Sequence, residues 1–278
     1  MNWIIIAALA GLASNGFNII NRYALKDKGD HTAYAWWFEL LRTVFFLAII
    51  LGQSPPAFTL QNILGFIMIG LTELFSVYVF MKMHALTDLS ISSIISRLRV
   101  IWSPLLAWAL VGERLSAPQY IGITIIFLGM AVVTSPKSIR RDKGVRIALI
   151  FAFSSALLST VQKISGAFAS TEMILVSQGV IPLIVLPLLM KNPVARIVTV
   201  GKAHFSKTLA AGIFNIASSY LIVEALRVAD ASKVVGIYQA MTLASVFYGI
   251  FIMKETDKMW QKVIGSLIVV GGVLLTAT

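Results

Sequence analysis

The sequence predicts an all-α integral membrane protein: ten transmembrane helices arranged as two inverted five-helix repeats. Three observations carry this. First, 58% of the residues are hydrophobic and only 13% charged, with a mean hydropathy of +0.87. Soluble domains run at roughly 45–50% and 25%, so the apolar surplus has to face lipid. Second, apolar runs of about 20 residues, the length that crosses a bilayer, recur along the chain. Third, the second half repeats the polar positions of the first.

The spans in order are Trp3–Ala24, Thr32–Gly52, Leu60–Met81, Ser90–Val111, Ala117–Thr134, Val145–Ile164, Met173–Met190, Leu209–Leu226, Val234–Met253 and Val263–Thr276. The first follows Met1-Asn2 with no basic leader and no small-residue cleavage site, so it reads as a retained helix and not a signal peptide. Gln53-Ser-Pro-Pro-Ala57 breaks the chain after the second span, as paired prolines do. The longest connections, Ser135–Gly144 and Lys191–Lys207, are too short for an inserted soluble domain.

The net charge of +11 does not point to nucleic acid, because the basic residues lie between the apolar runs. Loops after odd-numbered spans hold sixteen Lys and Arg, from Arg22, Lys26 and Lys28 to Lys254, Lys258 and Lys262. Loops after even-numbered spans, with both termini, hold three: Arg114, Arg227 and Lys233. The positive-inside rule then places the odd-numbered loops in the cytoplasm and both termini outside, in a multi-pass protein of the cytoplasmic membrane. With no cysteine, disulfides and thiolate metal sites are excluded. His31, His84 and His204 are scattered, so no metal site is expected.

The repeat aligns Glu73–Glu113 with Asn215–Glu255 at a shift of 142 without gaps. Ser76 meets Ser218, Tyr78 meets Tyr220, Asp88 meets Asp230, Ser103 meets Ser245, and Glu113 meets Glu255. Gly122 and Gly129 match Gly265 and Gly272 one inserted residue later, and serve helix packing. In the first helices Ser14, Asn21 and Arg22 fall opposite Ser155, Gln162 and Lys163. The halves divide as 1–137 and 138–278. Five spans each, an odd number, give the halves opposite orientations, and inverted repeats hold their site between them near the midplane.

Ionisable groups at membrane depth cost on the order of a few kcal/mol each, and mark function or a pairing. Glu39 and Arg42 in span 2, Glu73 in span 3, Arg97 and Arg99 in span 4, and Lys163 in span 6 qualify. Glu39 and Arg42, three apart, can pair on one helix. Ser92, Ser96, Arg99 and Ser103 form one polar stripe. Arg97 points about 200° away from Arg99 and has its own polar repeat mate, Gln239. Snorkelling of Arg97 and Lys163, with a structural Glu73–Arg99 pair, is the competing arrangement. Asn18, with Asn15, Asn21 and Arg22 on span 1, either binds a ligand or ties helices together. Tyr220 and Tyr238 suit a polar surface or packing, and Tyr78 is the repeat mate of Tyr220. Trp102 and Trp108, like Trp36 and Trp37, suit a cavity or the lipid interface. The expected binding set is thus Asn18, Tyr78, Ser96, Arg97, Arg99, Trp102, Tyr220, Tyr238 and Gln239, with Glu39, Arg42, Glu73 and Lys163 as coupling candidates.

The stretch Gly112-Glu113-Arg114-Leu115-Ser116-Ala117-Pro118-Gln119-Tyr120-Ile121-Gly122, followed by an apolar run to Gly129, resembles the end of an EamA-type repeat. So does Arg42 preceding Thr-Val-Phe-Phe-Leu. Lys254-Glu255 and Gln261-Lys262-Val263-Ile264-Gly265 repeat the plan. The whole chain resembles the drug/metabolite transporter superfamily, EamA-like branch. The resemblance implies secondary transport of a small metabolite by alternating access, as exporter or exchanger. The buried excess of positive charge selects an anionic or zwitterionic cargo such as an amino acid. Lipid-linked or drug-like cargo, carried or flipped, is the alternative. The partners expected are that small molecule, membrane lipids and protons as coupling ion, with no nucleic acid, in a monomer or homodimer. No cofactor is expected, and without a phosphate-cradling glycine loop ATP-driven transport has no support within the chain. An enzyme would need a catalytic constellation that the residues do not form, and a purely structural subunit would not need buried charge.

Overall fold

The computed structural model describes residues 2–25, 29–52, 59–114, 116–133, 143–241, 243–254 and 258–276; among these the regular elements are all helical. Gln53–Ala57, Lys137, Arg140, Arg141 and Glu255 lie outside the described residues. The helices are α1 (Trp3–Leu25), α2 (His31–Ile50), α3 (Leu60–Leu86), α4, α5 (Ala117–Val133), α6 (Lys143–Ser165), α7 (Thr171–Leu188), α8 (Pro193–Val228), α9 and α10 (Met259–Thr276). α4 is composite: Leu89–Ile95, a 3₁₀ turn at Ser96–Leu98, then Arg99–Val111. α9 is composite too, with Ala231–Met241, Leu243–Phe247 and a π-helical turn at Tyr248–Ile252. Seven helices are long and apolar enough to cross a membrane, and shorter apolar stretches in α4, α5 and α10 complete the ten expected spans.

Short polar side chains start these helices. Asp30 accepts from Ala33 N–H (3.1 Å), Thr59 from Asn62 N–H (3.2 Å) and Ser170 from Met173 N–H (3.3 Å), each satisfying a backbone donor that the first turn leaves free. α4 stops at Gly112, whose φ of +79° closes the last turn in the left-handed region.

One connection departs from the expectation. Residues 193–207, read as loop, are helical, and α8 runs 36 residues with a kink at His204. Pro193 sits where a helix tolerates it best, at the first turn. The extension is tied down: Trp37 Nε1 donates to the Ile197 carbonyl (2.8 Å), and Arg196 grips Asp30 through two bonds of 2.6 Å. Basic residues between apolar runs do not exclude helix.

α5 and α10 pack chiefly on each other. A Cβ added at Gly272 would stand 2.7 Å from the Gly122 carbonyl oxygen, and one at Gly129 2.9 Å from the Val269 nitrogen. These glycines are therefore packing positions, as the repeat suggests. The other eight helices enclose the interior. The two halves meet where Glu113, at the end of α4, accepts from the Ala231 N–H (3.0 Å) and the Ser232 hydroxyl (3.3 Å) at the start of α9.

Candidate functional site: a polar cavity between the halves

A cavity of about 130 Å³ lies in the middle of the bundle, lined from α1–α4 and α6–α9 but not from α5 or α10. Its walls follow the sequence repeat. Glu73 and its mate Asn215, Ser76 and Ser218, Val77 and Ser219, Phe80 and Ile222, and Ser96 and Tyr238 all line it, each pair 142 apart. Ser14 and Ser155, matched in the first helices, do so as well. The chemistry is asymmetric. The first half contributes Arg42, Glu73 and Arg99, whereas the second contributes the neutral amides Gln162, Gln178, Asn215 and Gln239.

α2 and α3 build the charged wall. Arg42 donates through Nη1 to Glu73 (2.8 Å) and through Nη2 to Glu39 (2.5 Å), with all three side chains buried. Gln178 adds a bond to the other Glu73 oxygen (3.3 Å). Two carboxylates thus share one guanidinium. Arg99 stands apart from them. It donates to the Ser159 hydroxyl and lies over the Tyr238 ring, 5.2 Å from its centroid, and among the described residues it has no carboxylate partner. The competing Glu73–Arg99 pair is therefore replaced by Arg42–Glu73. The basic neighbour of Glu73 comes from α2 and not from its own helix.

Aromatic rings form the remaining wall. Phe17 packs against Phe38 (5.3 Å) and Phe80 (5.6 Å), and Phe80 against Phe151 (4.9 Å) and the His84 ring (4.5 Å). Several polar atoms of lining residues are buried without a hydrogen-bond partner: Arg99 Nε, Asn215 Nδ2, Gln178 Oε1 and both ring nitrogens of His84. Buried polar groups ordinarily find partners, so a cavity with this many unmatched atoms suits a polar guest.

Of the expected binding residues, Asn18, Ser96, Arg99, Tyr238 and Gln239 line the cavity, as do the coupling candidates Arg42 and Glu73. Tyr238 donates to Ser14 (2.7 Å). The others lie elsewhere. Trp102 is 39% exposed and packs on Phe153, outside the cavity. Tyr78 packs beside His31 and Lys82, and Tyr220 stacks on Phe46. Glu39 sits behind Arg42, fully enclosed. Lys163 donates to the carbonyls of Leu226 (3.2 Å) and Ala229 (2.7 Å), where a cation complements a helix end. The Arg97 side chain lies outside the described residues; its backbone is in the 3₁₀ turn. The span 1 asparagines divide. Asn15 ties α1 to α9, bonding the Met241 carbonyl (2.7 Å) and Ser245 (2.5 Å), while Asn18 faces the cavity. Sequence reasoning missed Gln178 and Ser155 as lining residues. A lone amide within the apolar span 7 and the Ser14–Ser155 match were the available signals.

A bundle of apolar helices long enough to cross a membrane, with a central cavity that carries charged and polar groups and is walled by both repeats, defines a polytopic membrane protein built to hold a solute. The model of the EamA-like transporter family matches residues 1–135 and again 142–278. The chain belongs to this family; it is a multi-pass integral membrane protein and a transporter of small molecules. No curated protein matches it. A solved crystal structure is similar to it with a TM-score of 0.66 over 99% of this chain and 98% of the other, at 14% identity, a likeness of fold.

Proposed function

We propose that the protein is a secondary transporter that moves a small zwitterionic metabolite of the amino-acid class across the cytoplasmic membrane, as exporter or exchanger. Its two five-helix halves, 1–137 and 138–278, are inverted and rock about the cavity in alternating access. The observation that carries this is the charge layout. Arg99, a guanidinium with no carboxylate partner among the described residues, lines a cavity with Arg42 and Glu73, and Glu39 shares the Arg42 guanidinium from behind. A carboxylate-bearing guest meets a planar two-pronged donor at Arg99, and an ammonium meets the acidic excess at Glu73. Asn18, Ser96, Tyr238 and Gln239 supply orienting hydrogen bonds. The basic loops favour both termini outside.

The cavity volume supports small cargo. At about 130 Å³ it falls below the 300–1,000 Å³ of sites that take drug-sized ligands. Lipid-linked or drug-like cargo is the second reading, favoured by the Phe17–Phe38–Phe80–Phe151 wall. A ligand that binds only the folded protein raises its melting temperature. Purified protein screened in this way against amino acids, sugars, phosphates and lipids should respond to small zwitterions. Stabilisation by apolar or lipid-like compounds alone would replace this reading with the second.

A further inference from the structure

The acidic pair beside Arg42 has more oxygen than donors. Arg42 gives one bond to each carboxylate and Gln178 one to Glu73, yet Glu39 Oε1 is buried with no partner. Thr43 Oγ1, one turn further along α2, and Gln178 Oε1 are buried and unmatched as well. Thr43 and Glu39 both face the backbone of α7 beside Gln178. The position of a Cβ on Gly179, next to Gln178, overlaps Thr43 Oγ1 and lies 3.4 Å from Glu39 Oε2. Glu39 and Glu73 also come within hydrogen-bonding reach of each other. Two ionised carboxylates cannot make that bond, since neither can donate.

The charges surrounding the pair are few. The charged groups acting on Glu39 are Arg42 from its own helix and Glu73 from α3, and Glu73 also feels Arg99 from α4. α7 offers neutral Gln178, and α8 packs on α2 through Gly201 against Trp37 and Gly212 against Leu41. Fully ionised, the triad itself carries a net charge of −1, offset only from across the cavity by Arg99 acting on Glu73, and Glu39 has no contact with water. A single added proton removes that charge and turns an acceptor into the missing donor. A metal cation would need several oxygens at once with room between them, and α2 and α7 are too close at Gly179 to leave it.

We propose that Glu39 and Glu73 hold one exchangeable proton between them, on Arg42 as an anchor, and that this pair is the proton site of the transporter. It rests on the transport reading above. The proton comes from water in the cavity to Glu73, which lines it, and is shared with the enclosed Glu39. Its departure leaves the triad with a net charge of −1, in contact with the guest through Glu73. Such a proton belongs to the pair and to neither residue alone.

Infrared difference spectroscopy on the purified full chain tests this without cargo. At neutral pH the wild type should show a protonated-carboxyl C=O stretch. Glu39→Gln and Glu73→Gln should each lose it, because a lone carboxylate left on Arg42 stays ionised. Glu39→Asp keeps a carboxyl in place and should shift the band, which assigns it to this pair even should the glutamine variants fail to fold. No band in the wild type, a band unchanged in Glu39→Asp, or a band abolished by added Na⁺ at fixed pH would overturn the proposal. Arg99→Gln keeps the two readings separate: it should lose cargo-induced stabilisation and retain the band. Loss of the band there would overturn the assignment to an independent pair.

Discussion

Arg99 carries the largest burden of any single residue. Its partners are the Ser159 hydroxyl and Tyr238, with the charge of Glu73 felt only at a distance and no ion pair of its own among the described residues. On the proposed reading a guest carboxylate completes it. Arg99→Lys keeps the charge and loses the two-pronged grip, so cargo affinity should fall about tenfold; Arg99→Gln removes both and should cost about a hundredfold or more, read as Kd by calorimetry. Equal affinities in all three proteins would remove Arg99 from the site. Asp30 makes a different kind of prediction. Burial pushes its carboxyl up, but the Arg196 hydrogen bonds, the Ala33 N–H and the charges of Arg196 and His31 outweigh that and hold it below its ordinary value. A carboxyl lowered in the folded state stabilises the protein above its unfolded value and loses that contribution as the pH falls through the folded one. The melting temperature of the wild type should therefore exceed that of Asp30→Asn at neutral pH, and the gap should close as the pH falls below about 4. A gap that persists in acid would show that Asp30 acts by packing. Residue-scale features were partly legible beforehand. The Ser92–Ser96–Arg99 stripe follows from helical spacing alone. The Arg42–Glu73 pair does not, because periodicity shows which residues share a face but not which helix that face meets. Trp102, Tyr78 and Tyr220 were ambiguous for a related reason: rings with a polar tip suit cavity, packing and lipid boundary equally.

Among the elements, α4 and α9 are both irregular, and they are repeat mates. Each departs from regular α-helix, α4 at a 3₁₀ turn beside Arg99 and α9 at a π-helical turn beyond the cavity. Local departures of this kind favour hinges. The α4 terminus can be probed directly. A side chain at Gly112, held at φ +79°, strains the backbone, so Gly112→Ala should lower stability by about 1 kcal/mol. The α5–α10 contact should be less forgiving. Gly272→Ala drives a methyl against the Gly122 carbonyl and should cost about 1–3 kcal/mol by forcing the helices apart. Thermal unfolding of both variants checks the pair, and a neutral Gly272→Ala would mean that the two helices pack more loosely than described. The spans were readable because lipid demands about 20 apolar residues from each. The α8 extension was not, since a short basic helix and a basic loop have the same composition.

At the scale of the whole molecule, the repeat became geometry: several pairs of positions 142 apart in the chain line the same cavity. Its charge division did not follow from the repeat, which preserves position and not chemistry. Orientation is a separate prediction. Sixteen basic residues in odd-numbered loops against three in the even-numbered loops and termini predict that both termini lie outside. A reporter fused after Thr278 should read extracytoplasmic, and a cytoplasmic signal would reverse the assignment. The central claim, that the cavity between the halves is where cargo binds, can be tested through the absence of any cysteine in the chain. Ser219→Cys introduces a single thiol on the cavity wall, so labelling by a small thiol reagent reports on that wall alone. Cargo identified by thermal stabilisation should slow the labelling in proportion to its occupancy of the site. A labelling rate that stays the same at saturating cargo would contradict the account and move the binding site out of this cavity.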